Sequence, residues 1–110
     1  MTPEEKSEIQ SRYYYLYNNN EELNDPIDPL NYIDSSGDRL IHIASGLGDL
    51  RTVELLISAG QDINQMGDMG YTPLHWAYRS KNQDLIEFLL SHGADLTIKN
   101  GFGKLPNECE

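Results

Sequence analysis

Cysteine is nearly missing: Cys109 is the single thiol and can close no intrachain disulfide. Nothing covalent staples this fold, which fits a reducing compartment. Basic residues are scarce too. Eight Lys and Arg face 18 Asp and Glu, for a net charge of -10. Such a surface repels nucleic acid and anionic lipid and steers basic partners toward itself. No apolar run nears the roughly 18 residues a membrane-crossing helix needs. The segment Met1-Thr2-Pro3-Glu4-Glu5-Lys6 lacks the basic start of a signal peptide. A cytoplasmic protein that engages neither nucleic acid nor membrane is therefore expected. Catalytic patterns are equally thin. No His or Cys pair has zinc-ligand spacing, and Gly46-Leu47-Gly48 lacks the third glycine and the preceding strand of a dinucleotide loop. The Walker pattern is missing, and no carboxylate sits in an apolar setting that would tune it for acid catalysis. No enzyme, metal site or cofactor is expected.

What the chain does have is repetition. Gly70-Tyr71-Thr72-Pro73-Leu74-His75-Trp76-Ala77 is preceded, 33 residues upstream, by a degraded copy, Gly37-Asp38-Arg39-Leu40-Ile41-His42-Ile43-Ala44. The register extends both ways: Gly37, Gly70 and Gly103 align, as do Leu30, Ile63 and Leu96, and Asn31, Asn64 and Thr97. A period near 33 around a T-P-L-H-x-A core resembles the ankyrin repeat family over about residues 30 to 106.

The resemblance implies an all-α ankyrin repeat solenoid forming one domain over 1–110. Its expected parts are an N-terminal cap (1–29), a first repeat (30–68), a second repeat (69–101) and a partial C-terminal repeat (102–110). Each full repeat is a helix pair with a β-hairpin loop. From the residues themselves, a helix is predicted from 3 to about 20, with Thr2 as cap and Pro3 at the first position. Ile9, Tyr13, Leu16 and Tyr17 would form its apolar face, and Asn18-Asn19-Asn20 its end. Asp25-Pro26 and Asp28-Pro29 predict a loop. Leu40 to Leu47 reads as a helix, followed by one capped at Asp49 that turns Val53, Leu55, Leu56 and Ile57 inward. The second pair starts at Thr72-Pro73 and at Asn82, with Ile86, Phe88, Leu89 and Leu90 in its core. Gly60 and Gly93 sit where left-handed helix ends are wanted. Only a hairpin and about one helical turn are expected after Phe102.

His42 and His75 share one repeat position, where this family uses the imidazole to bond the neighbouring hairpin backbone. A structural role is expected for both, and surface helix capping for His92. Family members bind protein partners along hairpin tips and the inner face of each first helix. That comparison places partner-binding residues at Met66, Asp68, Met69 and Tyr71 on the hairpin between the repeats. It adds Trp76, Arg79 and Ser80 on one helix face, Ser36, Asp38, Ile43, Gly46 and Leu47 in the first repeat, and Phe102 and Lys104 in the last. Trp76 stands where the family commonly has an aliphatic residue, and a packing role between repeats remains open for it and for Tyr78. A tryptophan, a tyrosine, an arginine and methionines on one strip match hot-spot composition.

A second candidate surface is the N-terminal segment. Glu4, Glu5, Glu8, Glu21, Glu22, Asp25, Asp28 and Asp34 outnumber Lys6 and Arg12 there, around Tyr13, Tyr14, Tyr15 and Tyr17. The expected function is non-catalytic protein binding by a monomer or 1:1 heterocomplex. Its narrower form is an immunity or inhibitor protein that neutralises a basic toxin or nuclease domain, since the repeat style resembles short bacterial ankyrin proteins. The alternative is a generic adaptor or secreted effector.

Overall fold

A computed structural model describes residues 1–16 and 26–109. Tyr17, the Asn18-Asn19-Asn20 stop, Glu21, Glu22 and Asp25 lie outside the described residues. Among the described residues, five helices follow in order: α1 (Pro3–Arg12), α2 (Leu40–Gly46), α3 (Leu50–Ser58), α4 (Pro73–Ser80) and α5 (Gln83–Ser91). Short 3-10 turns occupy Asp68–Gly70 and Pro106–Glu108.

The helix starts follow from the capping residues. Thr2 Oγ1 accepts from Glu5 N–H at 3.1 Å while Glu5 returns a bond to Thr2 N–H at 2.9 Å, a reciprocal box that satisfies two otherwise orphaned donors. Asp49, Thr72 and Asn82 each accept from the backbone three residues on. Helix α1 is shorter than predicted. It ends at Arg12, because Tyr13 leaves the helical region (φ -108°, ψ 37°). Its ring is buried and its hydroxyl donates to Asp49 Oδ2 at 2.8 Å, so tertiary docking overrides continuation of the helix. Leu16 lies beyond that end and is half-buried.

The core is one continuous cluster running from Ile9 of α1 and Tyr13 just beyond it through Leu40, Ile41, Ala44, Val53 and Leu56 to Leu74, Leu85 and Leu89. Helix α2 packs on both α3 and α4, and α4 packs on α5 and the last 3-10 turn. Ala44 and Ala77 are fully buried, and their small side chains keep paired helices close. Ile57, Phe88 and Leu90 only flank the core, half-buried, where the sequence placed them inside it.

The hairpin arms form no named strands among the described residues. A single isolated antiparallel bridge joins Ile33 and Arg39. Each tip is instead closed by one backbone bond spanning four residues: Asp34 N to Asp38 O (2.8 Å), Gly67 N to Tyr71 O (2.9 Å) and Asn100 N to Lys104 O (2.9 Å). These three bonds recur at the 33-residue period. Asp34 and Asn100 reinforce their tips with side-chain acceptors. Gly67 cannot, because a side chain there would collide with Asp38 and His42. Asp38 Oδ1 takes over by accepting from Asp68 N–H at 2.9 Å.

Adjacent repeats are joined by their histidines. His42 Nδ1 accepts from Arg39 N–H at 2.9 Å, which leaves Nε2–H to donate to Gln65 O at 2.7 Å. His75 repeats the pattern with Thr72 N–H (3.1 Å) and Lys104 O (3.0 Å). Burial lowers the His75 pKa, as expected for an imidazole that works in its neutral form. His75→Ala should cost about 1–3 kcal/mol in urea denaturation, the usual penalty for stranding buried polar partners. Partner affinity should be unchanged while the variant is folded. Lost binding at normal stability would assign the residue a recognition role instead.

Candidate protein-binding surface

Aromatic and cationic side chains of α4 and the preceding turn build the centre of the candidate surface. The Tyr71 and Trp76 rings lie 5.0 Å apart at 41°. Arg79, one turn beyond Trp76, sets its guanidinium 5.5 Å from the Trp76 ring and 5.8 Å from the Tyr71 ring, within cation–π range. Arg79 Nη1 also donates to the Tyr71 hydroxyl at 3.2 Å. The side-chain packing, not the helix, therefore holds this guanidinium in place.

Two clefts open beside this cluster, one lined by Trp76 and the other by Tyr71 and Arg79. One, of about 250 Å³, is lined by Asp38, His42, Ile43, Gly46, Leu47 and Trp76. The other, of about 430 Å³, is lined by Tyr71, Arg79, Phe102, Lys104, Glu108 and Cys109. Trp76 also packs between the repeats: a Cβ on Gly46 would lie 3.3 Å from its ring. Its Nε1 is buried and finds no acceptor among the described residues. Tyr78 packs half-buried against the core.

Leu47, Met66, Met69 and Phe102 are each more than half exposed. Met69 holds a left-handed backbone (φ 57°) at the tip of its turn, a conformation that costs a non-glycine residue about 1 kcal/mol. Its carbonyl accepts from Gly101 N–H at 2.6 Å, and a side chain on Gly101 would come within 2.9 Å of that oxygen.

The structure brings Trp76, Arg79, Tyr71, Phe102 and Lys104 together and changes the part some of them play. Tyr71 is only 8% exposed. Its hydroxyl is taken by Arg79 and its ring lies between His75 and Trp76, so it supports the surface rather than projecting from it. Asp38 is likewise engaged with Asp68 N–H. Ser80 turns back to donate to Ala77 O at 2.9 Å. Asp68 is half-buried and Ser36 exposed. Glu108 and Cys109 line the larger cleft without having been predicted, since nothing in the third repeat's sequence says that its last turn folds under Arg79.

Known protein families match residues 12–100 to ankyrin repeats, in three copies. The chain belongs to the ankyrin repeat family. Among relatives, mouse protein phosphatase 1 regulatory subunit 27 is 39% identical over 79 residues, covering 72% of this chain and 51% of its own length. Mouse ankyrin repeat domain-containing protein 40 is 38% identical over 64 residues, 57% of this chain and 18% of that protein. Mouse palmitoyltransferase ZDHHC13 is 43% identical over 65 residues, 58% of this chain and 10% of that protein. The chain thus spans about half or less of the length of these relatives, and the palmitoyltransferase likeness is confined to a small part of that enzyme. Ankyrin repeats are protein-interaction scaffolds, and nothing in the three relatives' names speaks of immunity. No helix among the described residues is long and apolar enough to cross a membrane, and no cluster of metal-ligating side chains occurs there.

The acidic, tyrosine-rich surface is also present in part. Tyr14 and Tyr15 are 81% and 51% exposed and meet edge-to-face with centroids 5.8 Å apart. Glu8 is occupied by Arg51 (3.1 Å) and Arg12 (3.6 Å), and Glu5 by the Thr2 cap.

Proposed function

We propose that this ankyrin chain is a non-catalytic protein-binding module that holds its partner along the strip from Leu47 through Trp76 to Phe102. The observation that carries this reading is the pair of open clefts flanking one aromatic–arginine cluster, with exposed Leu47 and Phe102 at their walls and Met66 and Met69 at the turn between. In this reading Asp38, Met66, Asp68, Met69, Trp76, Arg79, Ser80, Phe102 and Lys104 line the contact, Tyr71 backs it, and residues 1–29 cap one cytoplasmic domain. A regulatory adaptor is favoured by the likeness to a phosphatase regulatory subunit. The narrower reading, an immunity or inhibitor protein against a basic toxin, rests on the net charge of -10.

Affinity capture with the wild type and with a Trp76→Ala, Phe102→Ala double variant tests the strip. Partners retained by the first should be lost by the second, with central aromatic anchors worth about 2 kcal/mol or more each. A partner held equally by both would move the function elsewhere. Charge reversal at Glu4, Glu5 and Glu8 should only slow association with a basic partner if the strip is the contact, and should abolish binding if the N-terminal surface is.

A further inference from the structure

The larger cleft gathers charge of the sign opposite to the chain's net charge. In a chain of net charge -10, it gathers Arg79 and Lys104. Among the described residues neither has a carboxylate within ion-pair distance, unlike Arg12 and Arg51; Lys6, Arg39, Lys81 and Lys99 are unpaired as well but line neither cleft. Glu108 shares the cleft, but its Oε1 already accepts from Leu105 N–H at 2.7 Å. Burial pushes the Cys109 thiol up, against the pull of Arg79 and Lys104, so it adds no negative charge near neutral pH. The cleft wall therefore presents two cations against one occupied carboxylate.

Arg79 is also prepared for its ligand. Its Nη1 bond to Tyr71 and the two aromatic rings hold the guanidinium, which lines the cleft with its other N–H groups unbonded among the described residues. A planar guanidinium held in this way matches a carboxylate through two parallel bonds. Phe102, 63% exposed, offers an apolar wall beside it, and Met69, 59% exposed, lies on the adjoining turn.

We infer that this cleft receives an acidic side chain, Asp or Glu, of a partner segment whose neighbouring apolar residues rest on Phe102 and Met69. A chain-terminal carboxylate is the less suitable source, because such groups are captured by converging backbone N–H groups, and here those of Tyr71, Phe102, Lys104, Glu108 and Cys109 are already bonded within the chain. The inference rests on the strip being the docking face and names the chemistry of what docks at its C-terminal end. It reverses, for that end, the basic partner expected from overall charge.

Peptide display against the immobilised full chain provides the test. The best selected peptide is then resynthesised with its acidic residues changed singly to the amides, and binding to the wild type and to each variant is read by isothermal titration calorimetry. Selected sequences should join Asp or Glu to aromatic or aliphatic residues. One carboxylate-to-amide change should weaken binding about ten- to a hundredfold, as loss of a charged hydrogen bond does. Arg79→Gln, at an exposed position, should weaken the acidic peptide equally and abolish the difference between acid and amide, with an unchanged circular dichroism spectrum. Peptides rich in Lys and Arg, or binding indifferent to Arg79→Gln yet lost in Trp76→Ala, would overturn this inference while keeping the strip. Binding indifferent to both variants, or no selected peptide at all, would overturn the inference and count against the strip as well.

Discussion

Removal of residues 1–16 is expected to abolish the cooperative thermal transition, leaving a chain that melts gradually or not at all by circular dichroism. Ile9 and Tyr13 are 0% and 1% exposed, and burying such side chains is worth roughly 1.5–3 kcal/mol each. The deletion also takes these two side chains out of the continuous core cluster. It removes the Gln10 bond to Ile27 O (2.9 Å) and strips Asp49 of Tyr13 and Arg12. Small domains have only about 5–15 kcal/mol to lose, and at least three stacked units are usually needed for a stable repeat array. A truncated protein with an unchanged midpoint would show that α2 to α5 fold without this helix.

Asp49→Ala is expected to cost about 2–4 kcal/mol. One part is the N-cap of α3, about 1 kcal/mol. The other is the stranded Tyr13 hydroxyl, about 1–3 kcal/mol. The carboxylate also accepts from Thr52 Oγ1 at 2.6 Å and from Arg12 at 2.9 Å. Burial alone would raise the pKa of this carboxyl; the bonds from Thr52 and Tyr13 and the Arg12 charge outweigh it and hold the pKa below the ordinary value. A depressed folded-state pKa contributes stability that is present above the unfolded value, near 4, and lost as pH falls through the folded value. Stability of the wild type should therefore fall more steeply below about pH 4 than that of Asp49→Asn, which has no carboxylate to titrate. Parallel denaturation curves for the two proteins across that range would remove Asp49 as the acid-sensitive link.

The helix pairs were legible because their signals are local. Thr72-Pro73, Asp49 and Asn82 cap helices by bonding three residues ahead, and Gly60 and Gly93 end them with positive φ. The joint after α4 was less legible. Gly48 supplies a left-handed residue between α2 and α3, but the aligned residue between α4 and α5 is Lys81, at φ 57°. The end of α1 was misplaced because its cause is tertiary: Tyr13 turns toward Asp49, 36 positions away. On the candidate surface, spacing put Trp76 and Arg79 on one face. It could not show that Tyr71 folds beneath them, nor that Asp38 supplies the side-chain acceptor that Gly67 lacks. The first depends on side chains 5 and 8 positions away and the second on a carboxylate 30 positions away, and helical periodicity encodes neither.

The bonds between successive repeats run head to tail. His42 reaches forward to Gln65, His75 to Lys104, and the Asp38 carboxylate to Asp68. A head-to-tail contact does not close on itself, and between separate molecules it would generate an open filament. Here that geometry is confined within a single polypeptide. Duplication of residues 69–101 would place a fresh carbonyl opposite each histidine and a fresh histidine opposite the next carbonyl. The array can thus lengthen in evolution by copying a segment, without inventing a new joint, and each added unit would extend the same row of clefts.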